Sequence, residues 1–222
     1  MGISLRTICK NIIGLASLPI TAVCILSFFS LIMHVQWLRY PPYLLLIGFT
    51  IYLFIYVVSK NKSFAYVLGH EVLHAVASMF FGGKLLSIFI SRKNGSVSTT
   101  KDNFIISLIP YCIPFYGILL ALIYYGLSIV INTRPLIPTF IFLLGMALAH
   151  HCILTVEYIK IGQSDIAAHG TVFSLTVIVI ANIVLITFLL GLFLEQISFT
   201  FFWHKAIHSF KVLWREINYY KY

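Results

Sequence analysis

The chain has 222 residues, 60% of them hydrophobic and only 9% charged, with a mean hydropathy of +0.99. A soluble domain of this size is about a quarter charged, so a soluble globular protein is excluded and a polytopic membrane protein is expected, with no room for a large soluble domain beside it. The formal net charge of +9 reads as loop lysines and arginines facing anionic lipid. Without a basic, aromatic-rich soluble domain, nucleic acid is not an expected partner.

A spanning helix needs about 20 apolar residues. Asn11 to His34 is the first such run, with a kink expected at Pro19; Arg6 and Lys10 precede it, and it ends without a small-residue cleavage site, so it reads as an uncleaved span. Pro42 to Ser59 is the second, ending at Lys60 and Lys62. The third is Ser63 to Phe81, with Ser63 as N-cap and Gly82-Gly83 as the stop. Cys9, Cys24, Cys112 and Cys152 are scattered and read as small apolar fillers, not as a disulfide framework.

The third run contains His70-Glu71-Val72-Leu73-His74, an H-E-x-x-H pattern. Two histidines four apart stand on one helix face, one turn apart, where both rings reach one zinc ion. Glu71 lies on the adjoining face, where it can take a proton from a water activated by the metal. A lone match of three fixed positions arises by chance, but ionisable groups at membrane depth are costly unless they pair or bind a metal.

After this run, Lys84 to Asn103 is the most polar interior stretch. Leu85 to Ile90 and Ser96 to Thr100 are strand-like, and Asn94-Gly95 is a turn signal, so a β-hairpin is expected. Phe104 to Ile131 is apolar but holds Pro110 and Pro114, which should break it; broken helices in a membrane line cavities. Leu136 to Ile159 is the next span, and Asp165 opens a final one reaching Leu194. In the tail, Phe202, Trp203, Ala206, Ile207, Phe210, Leu213, Trp214 and Ile217 alternate at helical spacing with Lys205, His208, Lys211 and Arg215, the pattern of an amphipathic helix lying on the bilayer.

Catalytic zinc takes three protein ligands and keeps one position open. The chain has six acids, and Asp165 is the best-placed third ligand; the alternative is that it merely caps its helix, a task Ser164 could take instead. His169, four residues on, is a ligand, a partner that orients Asp165, or a packed histidine, with the orienting role preferred. His150 and His151 with Glu157 form a rival set.

Residues 70 to 84, H-E-V-L-H-A-V-A-S-M-F-F-G-G-K, resemble the zinc helix of site-2 proteases, the intramembrane metalloproteases. The order of small residues (Ala75, Ala77), glycine stop (Gly82, Gly83) and β-hairpin over Lys84–Thr100 is similar. The resemblance implies zinc, an aspartate on a later helix as third ligand, which only Asp165 matches, and a membrane-anchored protein or peptide as substrate. The expected location is a bacterial cytoplasmic membrane, as a multi-pass protein. Two departures stand out. The surroundings Gly162-Gln163-Ser164-Asp165-Ile166 lack the family's asparagine-proline and aspartate-glycine pattern, and no PDZ-type domain fits.

The expectation is therefore an all-α polytopic membrane protein of about six membrane helices, one of them re-entrant, with a small β-hairpin after the zinc helix and an interfacial amphipathic C-terminal helix. Residues 1–200 form one membrane-embedded metalloprotease domain, with the zinc core at 63–194, and 201–222 the tail. The expected function is zinc-dependent intramembrane peptide-bond hydrolysis, with Glu71 catalytic and one zinc on His70, His74 and Asp165. The competing reading is a membrane metal-binding protein or an inactive homologue serving as a scaffold. Basic residues divide nine to six under either topology of the zinc helix, so the positive-inside rule is tied. Depth breaks the tie. His70 lies ~12 Å along the chain from Lys62 and Asp165 ~7 Å from Lys160. Ligands of one metal share a depth, which favours a re-entrant zinc helix.

Overall fold

The computed structural model describes residues 5–37, 41–59, 64–91 and 94–219. The apolar runs become helices α1 (Leu5–His34), α2 (Pro42–Ser59), α3 (Phe64–Phe80), α4 (Phe104–Cys112), α5 (Phe115–Ser128), α6 (Ile137–Ile161), α7 (Ser164–Ala168), α8 (Thr171–Phe193) and α9 (Phe199–Tyr219), with strands β1 (Leu85–Ile90) and β2 (Gly95–Thr99) after α3. Among the described residues four helices (α1, α2, α6 with the turn before it, and α8) are long and apolar enough to cross a membrane, and the bent pair α4–α5 makes a fifth span if counted as one. Outward residues such as Leu26, Phe29, Phe54 and Val57 are exposed and apolar, as a lipid-facing surface requires. The sixth expected membrane helix is α3, only 17 residues long. Ser63, its expected N-cap, lies outside the described residues.

Close helix crossings order the bundle. A Cβ on Gly48 would sit 2.0 Å from the Phe142 carbonyl oxygen, and one on Gly145 would sit 2.2 Å from that of Leu45. Small residues thus let α2 and α6 meet backbone to backbone, as membrane helices do. These two run parallel: Tyr52 meets His150, and Tyr56 donates to Glu157 (3.0 Å) near their C-termini. α1 and α8 also run parallel, with Gly14 against Phe173 at one end and His34 near Phe201, just beyond α8, at the other.

The prolines act as expected, though on a finer scale. α4 and α5 are bent by 72° at a short break, with Pro110 inside α4 and Pro114 as N-cap of α5. α1, by contrast, stays one helix through Pro19. α4 starts where Phe104 meets Phe173 and the Lys10 ammonium, and α5 ends where Tyr124 packs on Phe140 and Phe193. The pair therefore traverses the bundle.

The route of α3 follows. α2 ends at the end of the bundle that holds the C-terminus of α6, and α4 starts at the end that holds the N-termini of α1 and α8. The direct sequence link of α6 to α8 through α7 makes these the same end. The segment from α3 through the hairpin thus leaves one end of the bundle and returns to it. α3 stops at Gly82, whose φ of +75° suits glycine. The hairpin then runs back along α3: its base is held by Ser78 Oγ donating to the Lys101 carbonyl (2.9 Å), and Gly95, at its tip, lies against Val67 and Glu71. β1 and β2 pair antiparallel, Ile88 opposite Val97, with one irregularity between Leu85 and Ser87.

One expected element is corrected. Asp165 does not open the final span: α7 ends at Ala168, and α8 begins only at Thr171. Gly170, at φ +89°, makes the turn. Asn11 of α1 holds it by accepting from the Val172 amide (3.2 Å).

Candidate metal centre

α3 presents His70 and His74 one turn apart, and α7 brings Asp165 to them. One ligand atom from each of the three lies within 4.8 Å of the others. His70 Nε2 and His74 Nε2 are 3.1 Å apart, and Asp165 Oδ2 lies 3.9 Å from the first and 3.6 Å from the second. Metal–nitrogen and metal–oxygen bonds of ~2.0–2.2 Å at tetrahedral angles put ligand atoms about 3.3 Å apart, so the spacing suits one small cation.

The hydrogen bonding points the same way. His74 Nδ1 lies 2.9 Å from the Ile106 carbonyl, which only accepts, so Nδ1 carries the proton and the Nε2 lone pair faces His70 and Asp165. With His70 in the same tautomer, three electron-rich atoms converge, and a cation answers that convergence. The Ile106 carbonyl is available because Pro110, four residues on, has no N–H to return to it. One residue type thus breaks the helix and frees the group that fixes a histidine of this cluster.

Asp165 is not a helix cap. Gln163 holds the N-cap position of α7 without a side-chain capping bond, so neither Ser164 nor Asp165 is spent there. Tyr111, fully buried in α4, donates to Asp165 Oδ2 (3.2 Å) and sets its ring edge-on to His70 (5.1 Å). Burial pushes the Asp165 carboxyl up, but His74, His70 and the Tyr111 hydroxyl beside it outweigh that and hold the carboxyl below its usual range.

Glu71 is buried at 7% exposure and lines, with His70, His74 and Asp165, a cavity of about 440 Å³ whose opposite wall is β2 from Gly95 to Thr99. A second opening of about 250 Å³, lined by Tyr66, Val67, Glu71, Asn94 and Tyr158, reaches the same carboxylate. Gly95 permits this approach: a Cβ there would sit 2.5 Å from both Cγ and Oε1 of Glu71. β2 pairs with β1 alone in a two-stranded sheet, so its second edge has no strand partner among the described residues.

His169 and the rival histidines are engaged elsewhere. Because α7 ends before it, His169 does not share a helix face with Asp165. Its Nδ1 accepts from Lys10 Nζ (2.7 Å), and its Nε2 meets Ser107 Oγ (3.1 Å), which donates to Asp102 (3.1 Å). Burial and the Lys10 ammonium lower its imidazole from the ordinary value. His150 Nδ1 meets the Tyr52 hydroxyl (2.8 Å), and His151 Nε2 donates to Asn182 Oδ1 (2.7 Å). Neither belongs to a group able to hold a metal among the described residues.

Sequence reasoning marked Gly95 only as a turn residue and did not single out Tyr111 or the Ile106 carbonyl. Pro110 four residues after Ile106 was the available signal for the last; the other two depend on tertiary contact. No family model, curated protein or solved structure matches the chain.

Proposed function

We propose that the protein is a zinc-dependent endopeptidase that hydrolyses a peptide bond of a membrane-anchored protein or peptide, as its resemblance to site-2 proteases implies. The observation that carries this reading is the convergence of His70, His74 and Asp165 beside a buried carboxylate, Glu71, in a cavity walled by a strand. A metal store or carrier has no need of a carboxylate that is not a ligand, whereas hydrolysis needs a base there.

His70, His74 and Asp165 would hold the ion, leaving one position open for water or substrate. Zinc bound there supplies Lewis acidity toward the scissile carbonyl and toward water. Glu71 takes the proton of the attacking water and returns it to the leaving nitrogen. Tyr111 orients Asp165, and the Ile106 carbonyl orients His74. The unpaired edge of β2 suits an extended substrate added as a third strand, which main-chain hydrogen bonds align. The amphipathic α9, with Trp203 and Trp214 exposed on one side and Lys205 and Lys211 on the other, suits the membrane surface.

The test is cleavage of a membrane-anchored reporter by the purified protein in liposomes. Activity should vanish on chelation and return with zinc but not with magnesium, whose preference for octahedral oxygen ligands does not suit this site. Undiminished cleavage after complete metal removal would refute the proposal.

A further inference from the structure

The two histidines differ in what stands behind them. To hold a metal through Nε2, each keeps its proton on Nδ1, and that N–H needs an acceptor to fix the ring. His74 has the Ile106 carbonyl. His70 Nδ1 is fully buried and has no hydrogen-bond partner among the described residues. Beside it lies a separate cavity of about 20 Å³, lined by His70, Tyr66 and His150 among others. A residue of the same walls carries another buried polar atom without a partner, His150 Nε2. A polar cavity of at least ~10–15 Å³ with two to four hydrogen-bonding groups holds one water, and this one meets both conditions.

We propose that this cavity is a single-water site that couples His70 to His150, which makes His150 a positioning residue for the metal centre. The chain of donors is then complete. His70 Nδ1–H donates to the water, the water donates to His150 Nε2, and His150 Nδ1–H donates to the Tyr52 hydroxyl, 2.8 Å away. The inference rests on the reading of His70 as a ligand, and it gives His150 a role without making it one.

The full-length protein in nanodiscs, freed of metal, is titrated with Co²⁺ against a chromophoric chelator, and the visible spectrum of the bound ion is recorded. His150→Phe keeps a ring but removes the acceptor. It should weaken Co²⁺ binding roughly 10- to 100-fold, the usual cost of losing such a partner, and shift the spectrum. His150→Gln, which retains an acceptor, should recover most of the affinity and the wild-type spectrum. A role in packing alone would not move the spectrum of a metal that His150 does not touch. If His150→Phe fails to fold, Tyr52→Phe carries the same test, with a smaller loss expected. Wild-type affinity and spectrum in the variant that folds overturn the water link, as does failure of His150→Gln to recover either. Wild-type protein that binds no Co²⁺, or binding that survives His70→Ala, overturns the ligand assignment and the inference with it. Binding that needs His70 but ignores His150 overturns the inference alone.

Discussion

The two ends of the helix bundle solve opposite problems. At one end Tyr124, Phe140 and Phe193 pack within 5.0 to 6.4 Å of one another, inside a cluster that joins Leu31, Leu144 and Leu190. At the other end stand Glu71, Asp102, Glu157 and Asp165, four of the chain's six acids, with His70, His74, His150, His151 and His169. An apolar end needs only shape. A polar end inside a membrane needs a partner for every group, and ionisable residues survive there when they have one or when they do chemistry. Most of these groups have visible partners: Tyr56 for Glu157, Ser107 for Asp102, Lys10 for His169 and Asn182 for His151. Glu71, without a hydrogen bond among the described residues, stands apart beside the converging His70, His74 and Asp165. The contrast isolates the site more sharply than the motif does.

That division can be broken most severely at Asp165. Asp165→Ala should abolish tight metal binding, read as metal per chain after dialysis, while Phe140→Leu at the apolar end leaves it unchanged. Full metal content in Asp165→Ala, with loss in a His150 or His151 variant, would transfer the site to the rival histidines.

Gly95→Ala tests whether the hairpin must touch the Glu71 carboxylate. The added methyl meets Glu71 at 2.5 Å, and such overpacking costs ~1–3 kcal/mol. The expected result is roughly a tenfold or greater loss of reporter cleavage, since displacing a reacting group by about 1 Å costs up to ~10²-fold, with metal content preserved. Equal losses of metal and activity would mean that the hairpin supports the ligands instead.

Tyr111→Phe sharpens the comparison with the smallest change, one hydroxyl. Metal affinity should fall by about 10- to 100-fold, as when an outer hydrogen bond to a ligand is lost, and chelator competition measures it. An unchanged affinity would reduce the contact with Asp165 to a packing detail.

How much of this was readable in the chain depended on how local the cause was. The i, i+4 spacing of His70 and His74 is a property of one helix, so it survived folding unchanged. The break at Pro110 and Pro114 is likewise local, and the hairpin follows from its two strand-like runs, although Gly95 pairs with Ile90 as the first residue of β2 instead of forming the turn with Asn94. Asp165 was found by scarcity, since few acids are available. The end of α7 at Ala168 was not readable, because Gly170 turns there in the grip of Asn11, a residue of the first helix. For the same reason His169 looked like a neighbour of Asp165 when its partners are Lys10 and Ser107. The return of α3 and the hairpin to their starting end was expected from ligand depth alone. The Tyr56–Glu157 and Phe104–Phe173 contacts now give the same route independently.

The most direct test of the central claim compares wild type with Glu71→Gln in the same liposomes, measuring reporter cleavage and metal per chain together. Glutamine keeps the shape of the side chain and removes the base, and loss of a general base costs about 10²- to 10⁴-fold in rate. The expected result is one zinc per chain in both proteins, with cleavage reduced by that range in the variant. Full cleavage by Glu71→Gln would contradict the hydrolytic mechanism, and loss of zinc would make Glu71 a ligand and not a base.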